Sequence, residues 1–313
     1  MVGIVIPAYK RREVLYQALL SLELQTNKDF IVIVVDDHSP EPLEDVVREF
    51  DGKLNYIYKY AEVNGGPGAA RQLGLEECYE IGVKYVMFLD SDDMLYPHAV
   101  DRLVYAMEES ECSLVGAQVW QEHVDGGGGI IPSDNETWLH GKIFLTSYLK
   151  ENDIRFPKLR TNEDVAFNLI ASQCAPKKGT LDEILYLFKY DNNSITHQEN
   201  PPLEMLSTDY IEALYCVVEY MMKRYNRITD QVLIDIIAIY NHYQVGKLVG
   251  LVTDEIKEEV RYMLHLPQIQ AALGSFESLK QFTSIINQYL TYADKVYYFS
   301  QTFYHWLKEF EAI

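Results

Sequence analysis

Long apolar runs are missing from this chain. Nowhere in its 313 residues do about 18 apolar residues follow one another, so no transmembrane helix is expected. Cysteine is scarce. Cys78, Cys112, Cys174 and Cys216 lie far apart and form no CxxC pair. They read as free thiols of a reducing cytoplasm, and the N-x-S/T matches at Asn135 and Asn192 then mean nothing. Positive charge is also short, with 27 lysines and arginines against 47 acids and a net charge of −20. Such a surface repels phosphate backbones and anionic lipid, which disfavours nucleic-acid binding by general charge and leaves room only for a local basic groove. The opening MVGIVIPAYK has no basic region followed by a long apolar one, so no secretory signal is expected and a cytoplasmic location is.

Two phosphate-loop patterns are absent as well. The glycine run Gly126–Gly129 is followed by neither GK[ST] nor a helix, and it reads as a hairpin tip. The loop Asn64-Gly65-Gly66-Pro67-Gly68-Ala69-Ala70-Arg71 is not GxGxxG, because Arg71 stands where the last glycine belongs.

What is present is a hydrophobic content of 48%, enough for a sizeable core, over a length that suggests two domains or one with an appendage. The first half alternates strand-like and helix-like segments. Val2–Ile6, Phe30–Val35, Leu54–Tyr58 and Tyr85–Leu89 read as strands. Glu13–Gln25, Pro42–Phe50, Pro67–Ile81 and Pro97–Glu108 read as helices. Alternation with short connections predicts an α/β fold, a mostly parallel sheet covered by helices on both faces. Farther on, Ile143–Lys150 and Glu163–Ser172 read as helices and Ile184–Tyr190 as a strand. At Pro201-Pro202 the texture changes. Beyond it strands vanish, and Val232–Val249 has the apolar spacing of a helix face. Residues 1–200 are therefore expected to form the α/β domain and 201–313 an all-helical one. The tyrosines of the second either line a sugar site or pack a core or a contact between copies of the chain.

Three acidic clusters fall at strand ends or a helix start, where open α/β sheets bind ligands. Asp90-Ser91-Asp92-Asp93 follows the run YVMFL. Two carboxylates two residues apart at a strand end converge on one point, and with diphosphate oxygens they make a hard site for Mg²⁺ or Mn²⁺. A solvated turn capping the next helix is the competing reading. Asp36-Asp37 ends the second strand. A carboxylate there accepts the ring N–H of uracil or a ribose hydroxyl, or else caps the turn at Ser39-Pro40. The small residues of the Asn64 loop permit close approach of a ligand, and Arg71 adds a fixed positive charge; a tight turn before a helix is the alternative. Asn162-Glu163-Asp164 fits ordinary helix capping, with Asn162 as N-cap.

Taken together, Ile6-Pro7-Ala8-Tyr9, Asp36-Asp37-His38-Ser39, Asn64-Gly65-Gly66-Pro67-Gly68 with Ala70-Arg71, Phe88-Leu89-Asp90-Ser91-Asp92-Asp93 and Asn162-Glu163-Asp164 resemble the family 2 glycosyltransferases with the GT-A fold. Each motif is weak alone; five in order and spacing are specific. The resemblance runs from Val2 to His197. It implies an enzyme that takes a sugar from a nucleotide diphosphate, with Pro7, Asp37 and Arg71 facing the base. Ala8, Tyr9, Asn64, Gly68, Asp90 and Ser91 complete the donor site. Asp92 is implied as the ligand of Mn²⁺ or Mg²⁺, with His197 joining the metal or phosphates. Asp164 is implied as the base that activates an acceptor hydroxyl, and His140-Gly141-Lys142 as a segment near the acceptor. Lys10 stands where asparagine is usual, His38 where glycine is usual, and Gln72 where asparagine is usual. No QxxRW is present, which points to single-sugar addition rather than polymerisation.

The expectation is thus an inverting transfer from a UDP-sugar to a hydroxyl on a glycan, glycolipid or protein. Two alternatives stand beside it. One is a phage-type transferase modifying a hydroxylated DNA base, which the charge of −20 disfavours. The other is an inactive sugar-nucleotide binding module, which the intact acids Asp92 and Asp164 disfavour.

Overall fold

The computed structural model describes residues 1–159, 161–190, 203–225, 230–248, 250, 252–273, 303 and 305–312. The chain divides into two compact units, Met1–Gln198 and Glu199–Ile313.

The first unit is built on one sheet. Strands β1 (Val2–Ala8), β2 (Phe30–Asp36), β3 (Tyr56–Tyr60) and β4 (Tyr85–Phe88) pair in parallel in the order β3-β2-β1-β4. Every residue of β1, β2 and β4 is buried, which is why these segments read as continuous apolar runs and not as alternating ones. Ile4, Ile6, Val32, Val34 and Met87 face one side, in a core with Leu15, Leu19 and Leu22 of helix α1 (Arg12–Glu23) and Val46 and Val47 of α2 (Glu44–Arg48). The opposite face carries α3 (Gly66–Ile81), which packs on β1 and β2.

That α3 contact is close enough to demand glycine. A Cβ on Gly74 would lie 2.3 Å from Cγ1 of Val5, a β-branched core side chain with nowhere to turn. Alanine favours a helix over glycine by about 1 kcal/mol, whereas overpacking costs about 1–3 kcal/mol. Gly74→Ala is therefore expected to lower stability in urea denaturation, and a stabilised variant would mean that α3 sits farther from β1.

The second half of the sheet is mixed. Strand β5 (Met94–Leu95) precedes α4 (Ala99–Ser110). Then come β6 (Leu114–Glu122), β7 (Gly128–Ile131), β8 (Lys142–Leu145), α5 (Thr146–Glu151), α6 (Glu163–Cys174) and β9 (Lys178–Phe188). The sheet continues β4-β8-β6-β9-β5, with β7 paired to β6 as a hairpin. Gly126, at φ +79°, and Gly127 lie in the turn of that hairpin, and Gly128 and Gly129 begin β7. β8 is antiparallel to β4 and to β6, while β9 is parallel to β6. The segment expected as a helix over Ile143–Lys150 is corrected here: its first residues are β8 and only Thr146–Glu151 is helical. Ile143, Phe144 and Leu145 suit a buried strand as well as a helix turn, and pairing on both sides decides for the strand.

These directions fix what meets at one edge. The carboxyl ends of β1, β2, β4 and β9 and the amino end of β8 all open on the same side, so residues distant in sequence converge there.

The second unit contains α7 (Leu203–Tyr225), α8 (Asp230–Leu248), α9 (Asp254–Leu264) and α10 (Pro267–Leu273). Tyr240 and Tyr243 are buried against Phe303, Trp306 and Phe310, with Tyr240 and Trp306 ring centroids 5.3 Å apart, so these tyrosines pack a core. Thr253 caps α9 by accepting the Ile256 N–H. No helix among the described residues is long and apolar enough to cross a membrane.

Candidate active site

The first strand leads to the edge through Pro7 and Ala8, both buried, and leaves Tyr9 exposed with the Lys10 ammonium 4.6 Å above its ring. The chain then turns through Lys10 at φ +64°. Its N–H donates to Ser39 Oγ at 2.8 Å, which ties the ends of β1 and β2 together.

At the end of β2 the two adjacent acids have different jobs. Asp36 is fully buried and accepts from the backbone of Ser39 and Leu43 and from the Tyr58 hydroxyl, which is the turn-capping role. Asp37 reaches the start of α3. Its two oxygens accept the Gly65 and Gly66 N–H groups, each at 2.8 Å, while Asn64 Nδ2 donates to its carbonyl. A carboxylate there satisfies orphan donors and opposes the positive end of the helix. His38, between Asp37 and Ser39, holds φ +59°, a conformation that glycine adopts without cost.

Arg71 is the centre of the site. It lies on α3 with 4% of its surface exposed, and it grips two carboxylates at once: Nη1 donates to Glu163 at 2.6 Å and Nη2 to Asp90 at 2.6 Å. Gly68 makes the first grip possible, since a Cβ there would fall 2.5 Å from Cγ of Glu163. Burial alone would lower the Arg71 pKa, but the charges of Asp90, Glu163 and Asp164 outweigh it and the guanidinium stays charged. Asp90 gains most from the arrangement. Against the penalty of burial, Arg71 and the hydrogen bond from His140 hold its carboxyl well below the usual range. Glu163 gains less. Burial, with the nearby charges of Asp164 and Asp90, pushes it up to about 7 despite Arg71.

The remaining acids of the DSDD segment diverge. Ser91 is nearly buried. Asp92 stands at the rim, ion-paired with Arg11, and burial and the Asp90 charge raise its pKa. Asp93 points inward, accepting from the Tyr186 hydroxyl at 2.7 Å and the Lys189 N–H at 2.9 Å; burial pushes it up to about 8. His140, just before β8, brings Nε2 to 3.1 Å from Asp90 Oδ2 and is boxed by the rings of Trp138, Tyr186 and Phe188. Lys142 is buried and ties down the preceding loop by donating to the carbonyls of Asn135 and Trp138.

Asp90, Asp93 and His140 each offer a ligand atom, all within 4.8 Å of one another. Carboxylate oxygens with one imidazole, beside the rim carboxylate of Asp92, are a donor set that fits Mn²⁺ or Mg²⁺. Asp93 is visible within the DSDD cluster, but Tyr186 and the reach of His140 have no marker in sequence spacing, because distant β9 and antiparallel β8 deliver them. Glu163 is legible as a helix-start acid and as the alternative to Asp164 for the base. Asn162 precedes α6 at φ +59° and makes no side-chain cap. Asp164 follows in the first turn of α6, half-buried and near enough to act electrostatically on Arg71, His140 and Glu163. His197, with the segment Ser194-Ile195-Thr196-His197, lies outside the described residues.

The family model described as Glycosyl transferase family 2 matches residues 3–162. Among curated proteins, an uncharacterized glycosyltransferase of Rickettsia felis is 30% identical over 145 residues, 46% of this chain and 23% of that protein. The uncharacterized glycosyltransferase EpsJ of Bacillus subtilis is 25% identical over 322 residues, 93% of this chain and 84% of that protein. The poly(ribitol-phosphate) beta-N-acetylglucosaminyltransferase TarS of Staphylococcus aureus is 27% identical over 206 residues, 59% of this chain and 35% of that protein. The chain thus spans about a quarter of the Rickettsia relative and a third of TarS. The crystal structure of TarS residues 1–349 in complex with UDP-GlcNAc superposes with a TM-score of 0.65 at 20% identity, over 84% of this chain and 79% of that one, which shows a shared fold.

Proposed function

The chain belongs to glycosyl transferase family 2, and we propose that it is an inverting, metal-dependent transferase moving a sugar from a UDP-type donor to an acceptor hydroxyl on a glycan, glycolipid or protein. The observation that carries this reading is the Arg71 clamp. One buried guanidinium joins Asp90, of the donor-side acids, to Glu163, whose neighbour Asp164 is the proposed base. Donor and acceptor chemistry are thereby held on one rigid post.

The parts then have these tasks. Asp37, between the ends of β1 and β2, accepts the N3–H of uracil through lone pairs that Gly65 and Gly66 leave over. Pro7, Ala8 and Tyr9 border the base, and the backbone of the Asn64–Gly68 loop allows close approach. Asp92, with Asp90, would hold Mn²⁺ or Mg²⁺; His197 is the proposed further ligand. The ion, when bound, neutralises charge on the departing diphosphate. Asp164 takes the acceptor proton as the new bond forms. Attack opposite the leaving group in a single displacement turns an α-linked donor into a β-linked product. The second unit is assigned to acceptor or subunit contacts, since the family match ends at residue 162.

The uracil assignment has a direct test. A polar group left unpaired in a buried site costs about 1–3 kcal/mol, and cytosine has no N3–H. With Mn²⁺, UDP is expected to bind more tightly than CDP in calorimetry, and Asp37→Asn is expected to erase the difference. Equal affinity for UDP and CDP in the wild type removes Asp37 from this role, and binding of GDP without UDP overturns the donor class.

A further inference from the structure

The Asp92 carboxylate, proposed above as a metal ligand, is already held by a cation belonging to the chain. Arg11 Nη1 donates to its Oδ2 across the mouth of the site, from the turn that follows β1 to the turn that follows β4. Both side chains are partly open to solvent, 26% for Arg11 and 19% for Asp92. The pair is therefore open to solvent, whereas the Arg71 and Glu163 side chains of the clamp are buried, Asp90 alone of that clamp being partly open.

The local charge explains why a cation is needed here. Asp90, Asp92, Asp93, Glu163 and Asp164 act on one another or on shared neighbours. Among the described residues the guanidiniums that pair with these acids are Arg71, whose Nη1 and Nη2 hold Glu163 and Asp90, and Arg11. Without Arg11, Asp92 would face Asp90 with no paired counter-charge among the described residues, and the mouth would repel the anionic donor it has to admit. A divalent ion on the same carboxylate does the work of Arg11 and repels it. A guanidinium displaced at that point, on a long side chain, is beside the diphosphate that the ion attracts, and its planar fork matches phosphate oxygens two at a time.

We propose that Arg11 is a placeholder cation: it neutralises Asp92 in the donor-free protein, yields that carboxylate to the divalent ion, and then binds the diphosphate of the donor. This rests on the donor reading above. A purely structural Arg11 would move metal and nucleotide affinity together or not at all, whereas a placeholder moves them in opposite directions.

The test is calorimetry on the full chain with Mn²⁺ alone, then with UDP at saturating Mn²⁺. Arg11→Ala is expected to bind Mn²⁺ about five- to tenfold more tightly than wild type, as befits loss of a partly exposed competitor. It is expected to bind UDP weaker by a similar factor. Arg11→Lys, which keeps the charge without the fork, should restore most of the wild-type Mn²⁺ affinity and only part of the UDP affinity. Unchanged or weaker Mn²⁺ binding by Arg11→Ala overturns the proposal, and so does unchanged UDP binding. A wild-type protein that binds Mn²⁺ but not UDP defeats the donor reading, while the Mn²⁺ comparison still decides whether Arg11 and the ion compete for Asp92.

Discussion

Asp164→Asn is expected to lower kcat by about 100- to 10,000-fold, the range for losing a positioned general base, with UDP affinity unchanged. An acceptor hydroxyl is a poor nucleophile at neutral pH, so its proton has to leave as the bond to the sugar forms. The carboxylate of Asp164 is fixed in direction by the first turn of α6, and that turn is anchored from below by Glu163 on Arg71. Asparagine keeps the shape and the helix-start position but has no basicity. The adjacent Glu163 is a poor substitute. It is 3% exposed and its oxygen is engaged by Arg71. Single-turnover kinetics separates the chemical step from donor binding. Near-normal turnover by Asp164→Asn, or an α-linked product from an α-linked donor, would remove Asp164 as the base of an inverting step.

Arg71→Met is expected to cost about 3–5 kcal/mol of stability, because it breaks a buried ion pair from one side only. Methionine fills much of the volume, so the loss comes mainly from stranded charge. Asp90 keeps its hydrogen bond from His140, but Glu163 is left buried with Asp164 as a like-charged neighbour. The cost also has a pH signature. Removing Arg71 raises the folded-state pKa of both carboxyls, so the folded variant takes up protons that the unfolded chain does not hold. A raised carboxyl contributes stability below its unfolded pKa and loses it as pH rises through the folded value. The deficit relative to wild type should therefore be larger at pH 8 than at pH 5.5 in urea denaturation. A deficit below about 1 kcal/mol, typical of an exposed pair, or one equal at both pH values, would show that Arg71 does not carry the buried charges.

Much of this organisation is legible in the order of the residues. The runs Val2–Ile6, Phe30–Val35 and Tyr85–Leu89 are apolar throughout because β1, β2 and β4 are buried on both faces, and Pro67 marks the start of α3 because a proline costs little there. The acids at the strand ends are visible as clusters, yet their division of labour is not. Asp36 and Asp37 are adjacent and chemically identical, and only the pleat decides that one caps a turn and the other reaches Gly65 and Gly66. The second half of the sheet is harder to read. Ile143–Leu145 satisfies a helical period, and its strand state depends on partners up to 60 residues away. With β8 taken for a helix, the meeting of His140 with Asp90 has no local signal. Arg11 is likewise silent, since a basic residue before a helix has no sequence pattern tying it to an acid 81 positions later.

In the proposed reaction the acidic edge handles a UDP-sugar through a divalent ion. The most direct measurement is release of UDP from a panel of UDP-sugars, with water as the slow acceptor, by wild type and Asp92→Ala in Mn²⁺ and in EDTA. Release by wild type in Mn²⁺ is predicted, with loss of that release both in EDTA and in the variant, whose melting temperature stays near that of wild type. Undiminished release in EDTA, or by Asp92→Ala in Mn²⁺, would contradict the proposed reaction.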